Sequence, residues 1–390
     1  MQTQSTVEMD KVICDNGSGF LKMGFAGENF PRYTIPSIAG RPLLRANQKI
    51  GEIELKPLML GDEANPLRSF LEISYPIREG IVDNWEDMEA LWAYTFHTKM
   101  GLPKDLRNHK IIVTEAAMNP KKNRAKMAQI LFEKFGFGGV KFEMQALLSL
   151  FAEGEMTGLV FDAGDGVSHC IPVIEGFALY DQVKRLNVAG RHITDYLIKL
   201  LLIRGYAFNS SADFETVREI KEQLCYVSYD LGKDRKLAQE TTVVDKEYRL
   251  PDGQLIYVGR ERFEAPECLF NPLLIDVEQS GISDLIYESI CESPIDCQKG
   301  LFGNITLAGG TTMFPGLSSR VEKDIRELFI KDKLGGDRTR SSKVNIFVHD
   351  PPRRKHNVFI GASFVAKNAG DDQYQTLHAW KEQGEKLYLR

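Results

Sequence analysis

The sequence predicts an α/β protein built from two related domains. Three observations carry that expectation. At 390 residues the chain is longer than one typical core holds. Its composition, 43% hydrophobic and 26% charged, is that of a globular chain. A D-x-G-x-G turn flanked by strand-like apolar runs occurs twice, in KVICDNGSGFLKMGFAG and in GLVFDAGDGVSHCIPV. Either turn alone reads equally as an ordinary β-hairpin, with Asp and Gly as turn residues. Both together point to an internal duplication with one hairpin loop in each half.

In the first copy, Val12 to Cys14 enters Asp15-Asn16-Gly17-Ser18-Gly19, and Phe20 to Phe25 resumes a strand pattern. In the second, Leu159 to Phe161 enters Asp162-Ala163-Gly164-Asp165-Gly166, and Cys170 to Ile174 leads out. Neither matches the common glycine motifs. The Walker spacing is missing, and Lys22 stands where a dinucleotide fingerprint needs its last glycine. Two such turns facing one another would offer a phosphate chain many backbone N–H groups. Small residues let the backbone approach closely, Ser18 adds a hydroxyl, and Lys22 adds a point charge. Asp15, Asp162 and Asp165 would repel a polyphosphate unless a divalent cation stood between them. Magnesium suits a site of few carboxylates plus substrate phosphates. The doubled acidic turn therefore predicts a metal–nucleotide complex.

Between and beyond the turns, FEMQALLSLFAEG reads as an amphipathic helix, on which a lone Gln145 usually faces solvent. His169 follows the second turn closely. SSADFETVREIKEQLCYV reads as a helix capped by Ser211 or Asp213, with Phe214, Val217, Ile220 and Leu224 inward and Lys221 and Glu222 off that stripe. NITLAGGTTMFPG runs from a buried strand, Ile305 to Ala308, into Gly309-Gly310, which suits close approach to a ligand or a plain strand-to-helix turn. DPPRRKHNVFIGASFV joins a proline break and a solvated basic run, Arg353 to Lys355, to another buried strand.

Other classes are excluded. A net charge of −5 argues against a general nucleic-acid binder. The N-terminus lacks the pattern of a secretory signal, and the strongest apolar run, Leu197 to Ile203, is too short to span a bilayer. Six scattered cysteines without a C-x-x-C pair read as reduced thiols of a cytosolic or nuclear protein; Cys291 and Cys297 fall in an expected surface loop.

CDNGSGFLKMGFAG, FDAGDGVSH, AGGTTMFPG and DPPRRKH, in that order, resemble the phosphate, adenosine and closing motifs of actin. The resemblance implies the actin-like ATPase fold: duplicated ribonuclease H-like domains around a nucleotide cleft, divided as 1–152 plus 357–390 and 153–356. It implies ATP, with ADP after hydrolysis, and Mg2+ as cofactors. Gly17, Ser18, Gly19 and Lys22 would hold the phosphates from one side, and Gly164, Asp165 and Gly166 from the other. Asp15 and Asp162 would act on magnesium through its waters. Arg218, Lys221, Glu222, Gly309, Gly310, Thr311, Met313, Phe314 and Lys355 would surround the adenosine. Gln145 and His169 fall where actins order the attacking water, so any enzymatic activity is at most slow ATP hydrolysis, with a mainly structural role. The sequence departs from the family at Ala163, where Ser is usual, at Phe314, where Tyr is usual, and at Ala116-Ala117 and the C-terminal tail.

Within the family, IGEIELKPLMLGDEANPLRSFLEISYPIREGIV, RGYAFNSSADFETVREIKEQLCYVSYD and GRERFEAPE look like the actin-related branch that serves in the seven-subunit branching nucleator. The partners implied are actin-related protein 3 and the other subunits, actin monomers or filaments, and nucleation-promoting factors, with no nucleic acid and no membrane insertion. ATP–Mg2+ would close the cleft and slow hydrolysis reset it. The place implied is the cytoplasmic actin cytoskeleton, with the nucleus left open. A divergent self-polymerising actin and a small-molecule kinase of the same superfamily are the alternatives.

Overall fold

A computed structural model describes residues 8–43, 49–50, 53–209, 211–339 and 345–389. Residues 1–7 of the N-terminal stretch, and Gly51 and Glu52 of the segment resembling the nucleator branch, lie outside them. The chain divides into two compact units, Met1–Glu155 with His356–Arg390, and Met156–Lys355.

The first unit is organised by a sheet of six strands in the order Gln375–Thr376, Gly139–Met144, Lys110–Glu115, Glu8–Asn16, Phe20–Ala26, Tyr33–Pro36. Glu8–Asn16 pairs antiparallel with Phe20–Ala26 across the Asp15 turn, and in parallel with Lys110–Glu115 on its other side. Side chains alternate across the sheet because successive Cβ atoms point to opposite faces. Val12 and Cys14 join a core with Met88, Leu91, Trp92 and Leu131 on one face. Ile13 and Ile112 join Leu148, Phe359 and Ala362 on the other.

The second unit repeats the plan. Its sheet runs Phe177–Ala178, Ser168–Ile174, Gly158–Ala163, Ile305–Ala308, Val348–His349, with Lys184–Leu186 also paired to Ser168–Ile174. Gly158–Ala163 is antiparallel to its hairpin partner and parallel to Ile305–Ala308. Each acidic turn thus follows a strand flanked by one antiparallel and one parallel neighbour. That shared topology is the duplication expected from the paired motifs.

Several local expectations are corrected. The apolar stretch after the basic run is the helix Asn357–Asn368, not a strand. Val358, Phe359, Ala362 and Ala366 are buried at helical spacing, and a side chain at Gly361 would strike the backbone carbonyl of Leu148. A short apolar run does not by itself distinguish strand from buried helix, and here the small residues fit helix-on-helix packing. The helix expected across FEMQALLSLFAEG starts only at Gln145, because Gly139–Met144 completes the sheet. Cys291 and Cys297 sit in two successive helices, Ile282–Glu292 and Ile295–Gly303, rather than in one loop, and all six cysteines are free. Asp213 and Ser211 both lie inside the helix Ser211–Leu224. The Asp213 carboxylate accepts the Asn209 N–H, and the Ser211 side chain lies outside the described residues.

Candidate phosphate-binding turns

In the first unit, Asp15 is 2% exposed at the end of its strand. Its Oδ2 accepts from Lys22 Nζ at 2.9 Å. Its Oδ1 accepts from the Thr114 hydroxyl at 2.7 Å and from Gln145 Nε2 at 3.3 Å. Three residues expected from sequence, Asp15, Lys22 and Gln145, therefore meet around one carboxylate. Gln145 is half-buried in this network rather than solvent-facing, because the first turn of its helix follows directly from a sheet strand.

The turn itself is shaped by tight backbone packing. A side chain at Gly17 would strike the Phe20 carbonyl, and the Gly17 carbonyl accepts from Ser37 Oγ at 2.7 Å. Ser18 Oγ accepts the Gly80 N–H at 3.0 Å, which ties the turn to the short hairpin of Ile77–Arg78 and Ile81–Val82. The amides of Ser18 and Gly19 donate to no acceptor among the described residues.

In the second unit, the Gly164 carbonyl accepts from the Gly190 N–H at 3.1 Å and from Thr311 Oγ1 at 2.6 Å. Asp165 is held by Arg191, with Nη2 to Oδ2 at 2.7 Å. Here too the turn amides, of Asp165 and Gly166, donate to no acceptor among the described residues. Gly309, at φ +87°, lies so close that a side chain would strike the Ala163 carbonyl. Only a glycine fits that left-handed position and that spacing. Gly310, by contrast, opens onto free space.

Lys221 corrects its expected place. It is buried, not off the inner stripe, and its Nζ donates to the Gly190 carbonyl at 2.7 Å and to Thr194 Oγ1 at 3.0 Å. Burial pulls its ammonium below the ordinary lysine range, and Asp165 opposes that. It thus sits next to the backbone that holds the second turn. Glu222 is exposed and ion-paired with Arg218, which also pairs with Glu215. Thr311 is buried, Met313 is exposed, and Phe314 belongs to the apolar core.

The basic run is not uniformly solvated. Arg353 and Lys355 are exposed, but Arg354 is 7% exposed. Its guanidinium donates to the carbonyls of Thr312, Asp350 and Pro351 at 2.9 to 3.0 Å. The Gly309 N–H in turn donates to the Arg354 carbonyl at 3.2 Å. The arginine therefore welds the Gly309-Gly310 turn to its neighbour strand.

His169 lies opposite Asp162 in the hairpin register and is buried, with Nε2 lacking a partner among the described residues. Burial, reinforced by the Arg185 charge, pushes its pKa down to about 4, so it is neutral at pH 7. A neutral imidazole can orient a water through its N–H or its lone pair but does not act as a general acid.

Thr114, Arg191 and Arg354 were missed in the sequence. Thr114 carried a usable signal, since the buried run Ile111 to Val113 ends in the polar pair Thr114-Glu115. Arg191 and Arg354 carried none, because charged residues at loop edges usually face water.

With the geometry in place, family comparison identifies the class. The model of the family described as Actin matches residues 6–388, and the chain belongs to the actin family. Its α/β architecture is that of the actin-like fold. Among characterised relatives it is similar to Actin-related protein 2 of Saccharomyces cerevisiae (strain ATCC 204508 / S288c), 51% identical over 96% of each chain. It is also 50% identical to Actin-related protein 2 of Acanthamoeba castellanii, over 96% of this chain and 97% of the relative. Actin-related protein 2 of Drosophila melanogaster is 51% identical over 96% of each.

Proposed function

We propose that this chain is an ATP-binding subunit of the seven-subunit actin nucleator, pairing with actin-related protein 3 to template branched filaments. The observation that carries this reading is identity of about half the residues, over nearly the full length, with three relatives all named Actin-related protein 2. Other subunits, actin monomers or filaments and nucleation-promoting factors are its further partners, in the cytoplasmic cytoskeleton. Among the described residues no helix is long and apolar enough to cross a membrane.

The side chains fit a nucleotide with magnesium. Four turn amides, of Ser18, Gly19, Asp165 and Gly166, are available to anionic oxygens. Gly17, Ser18, Gly19 and Lys22 hold phosphate from the first unit, and Gly164, Asp165 and Gly166 from the second. Asp15 and Asp162 accept from the waters of the cation, which supplies charge that offsets carboxylate–phosphate repulsion. Arg218, Lys221, Glu222, Gly309, Gly310, Thr311, Met313, Phe314 and Lys355 surround the nucleoside. Gln145 and neutral His169 orient water for slow hydrolysis, which resets a nucleotide-dependent switch. Ala163 offers no hydroxyl, which lowers affinity by about 1 kcal/mol without abolishing it. Phe314 still presents an apolar ring but no phenolic hydrogen bond.

Sedimentation of the purified chain with Mg–ATP tests this directly. It stays in the supernatant alone, whereas pelleting by itself would make it a divergent self-polymerising actin. Transfer of phosphate to a hydroxylated small molecule would instead make it a kinase.

A further inference from the structure

We infer that Thr114 is the positioning residue that fixes how Gln145 meets the attacking water. The inference rests on the reading that ATP is bound and hydrolysed here.

A hydroxyl has one hydrogen to donate and two lone pairs to accept with. Thr114 Oγ1 uses all of them. It donates to Asp15 Oδ1 at 2.7 Å, and accepts from the Asn16 N–H at 3.1 Å and from Gln145 Nε2 at 3.2 Å. Asp15, as a carboxylate, only accepts. The one proton of Thr114 is committed to it, so Gln145 must turn its NH2 toward the pair.

One N–H of Gln145 is shared between Asp15 Oδ1 and Thr114 Oγ1, which lie 2.7 Å apart, too close for each to take a hydrogen of its own. Its carbonyl oxygen is left pointing away from the network, with no donor among the described residues. Asp15 Oδ1 and Thr114 Oγ1 both refuse the amide oxygen, and the threonine at 3.2 Å reinforces the acceptor that Asp15 presents at 3.3 Å. Thr114 thus helps to hold the Gln145 carbonyl oxygen on the far side of the amide, where it can accept from water.

In the reaction, the water oxygen bonds to the γ-phosphorus. The bond from that phosphorus to the bridging oxygen breaks, and its electron pair goes to ADP. One water proton stays on the released phosphate and the other passes to solvent. Gln145 accepts a hydrogen bond from this water and takes no proton.

The test compares wild type, Thr114→Val and Thr114→Ser in the full chain recovered with its native partners. ATP affinity is followed with a fluorescent ATP analogue, and hydrolysis by single turnover of γ-labelled ATP. Thr114→Val should slow hydrolysis by at least about tenfold while the dissociation constant moves less than about threefold. Thr114→Ser should restore the rate. On a Gln145→Ala background, Thr114→Val should cost nothing further, since it acts through that amide. Thr114→Ala serves if the valine variant does not fold.

Wild-type hydrolysis in Thr114→Val overturns the inference and leaves the nucleotide reading intact. Parallel loss of affinity and rate, uncorrected by serine, also overturns it, because the role is then structural. A wild-type chain that binds no ATP, or binds it and never hydrolyses it, sinks the reading itself and the inference with it.

Discussion

The carboxylate of Asp15 and the left-handed backbone of Gly309 show how single residues set up each half of the proposed site. Gly309→Ala adds a methyl at φ +87° against the Ala163 carbonyl. It should destabilise the second unit by at least about 2 kcal/mol, seen as a lower urea midpoint. Gly310→Ala meets open space and should leave the midpoint nearly unchanged. Equal effects at both positions would contradict the close packing described here. His169 gives a pH signature. Its folded-state pKa of about 4 lies below the ordinary 6.5, so the unfolded chain takes the proton first as pH falls. Stability from this group is full above about pH 6.5 and is lost progressively down to about pH 4, by up to about 3 kcal/mol. Denaturation of His169→Gln without nucleotide or magnesium should show a shallower acid slope over that window. An unchanged slope would mean that His169 already titrates normally.

Elements were legible in the sequence where local pattern and tertiary environment agree. Both acidic hairpins, the strand before Gly309 and the helix over residues 211–224 stand where the pattern of apolar residues and turn signals puts them. The failures share a cause: side-chain fate depends on what an element packs against. Lys221 lies one residue past the buried Ile220, and the helix beginning at Gly190 covers it. Arg354 sits in a basic run, but carbonyls from two loops converge on it. Neither convergence is written in local periodicity. The C-terminal tail, where resemblance was weakest, proves to be part of the first unit's core. Trp380 is 5% exposed, stacks on Phe132 with ring centroids 5.6 Å apart, and donates from Nε1 to Glu133 at 3.1 Å. Trp380→Ala should cost about 3–5 kcal/mol, measured by chemical denaturation. A loss under about 1 kcal/mol would mean that the tail merely rests on the surface.

At the scale of the whole molecule, a duplicated plan places one acidic glycine turn in each unit, and the proposed function needs both. Chelating magnesium with EDTA should therefore weaken ATP binding sharply, since Asp15 and Asp162 would then face phosphate without a cation. Titration with a fluorescent ATP analogue checks this, and metal-independent affinity would refute the role given to those acids. The central claim, however, concerns assembly: a nucleotide-bearing subunit that works in a complex rather than a filament of its own. Native affinity purification of the tagged chain from its own cells, with mass spectrometry of the co-purifying proteins, tests it most directly. The account predicts a stoichiometric set containing a second actin-related protein and five other subunits. Recovery of the chain alone, or only with copies of itself, would contradict it.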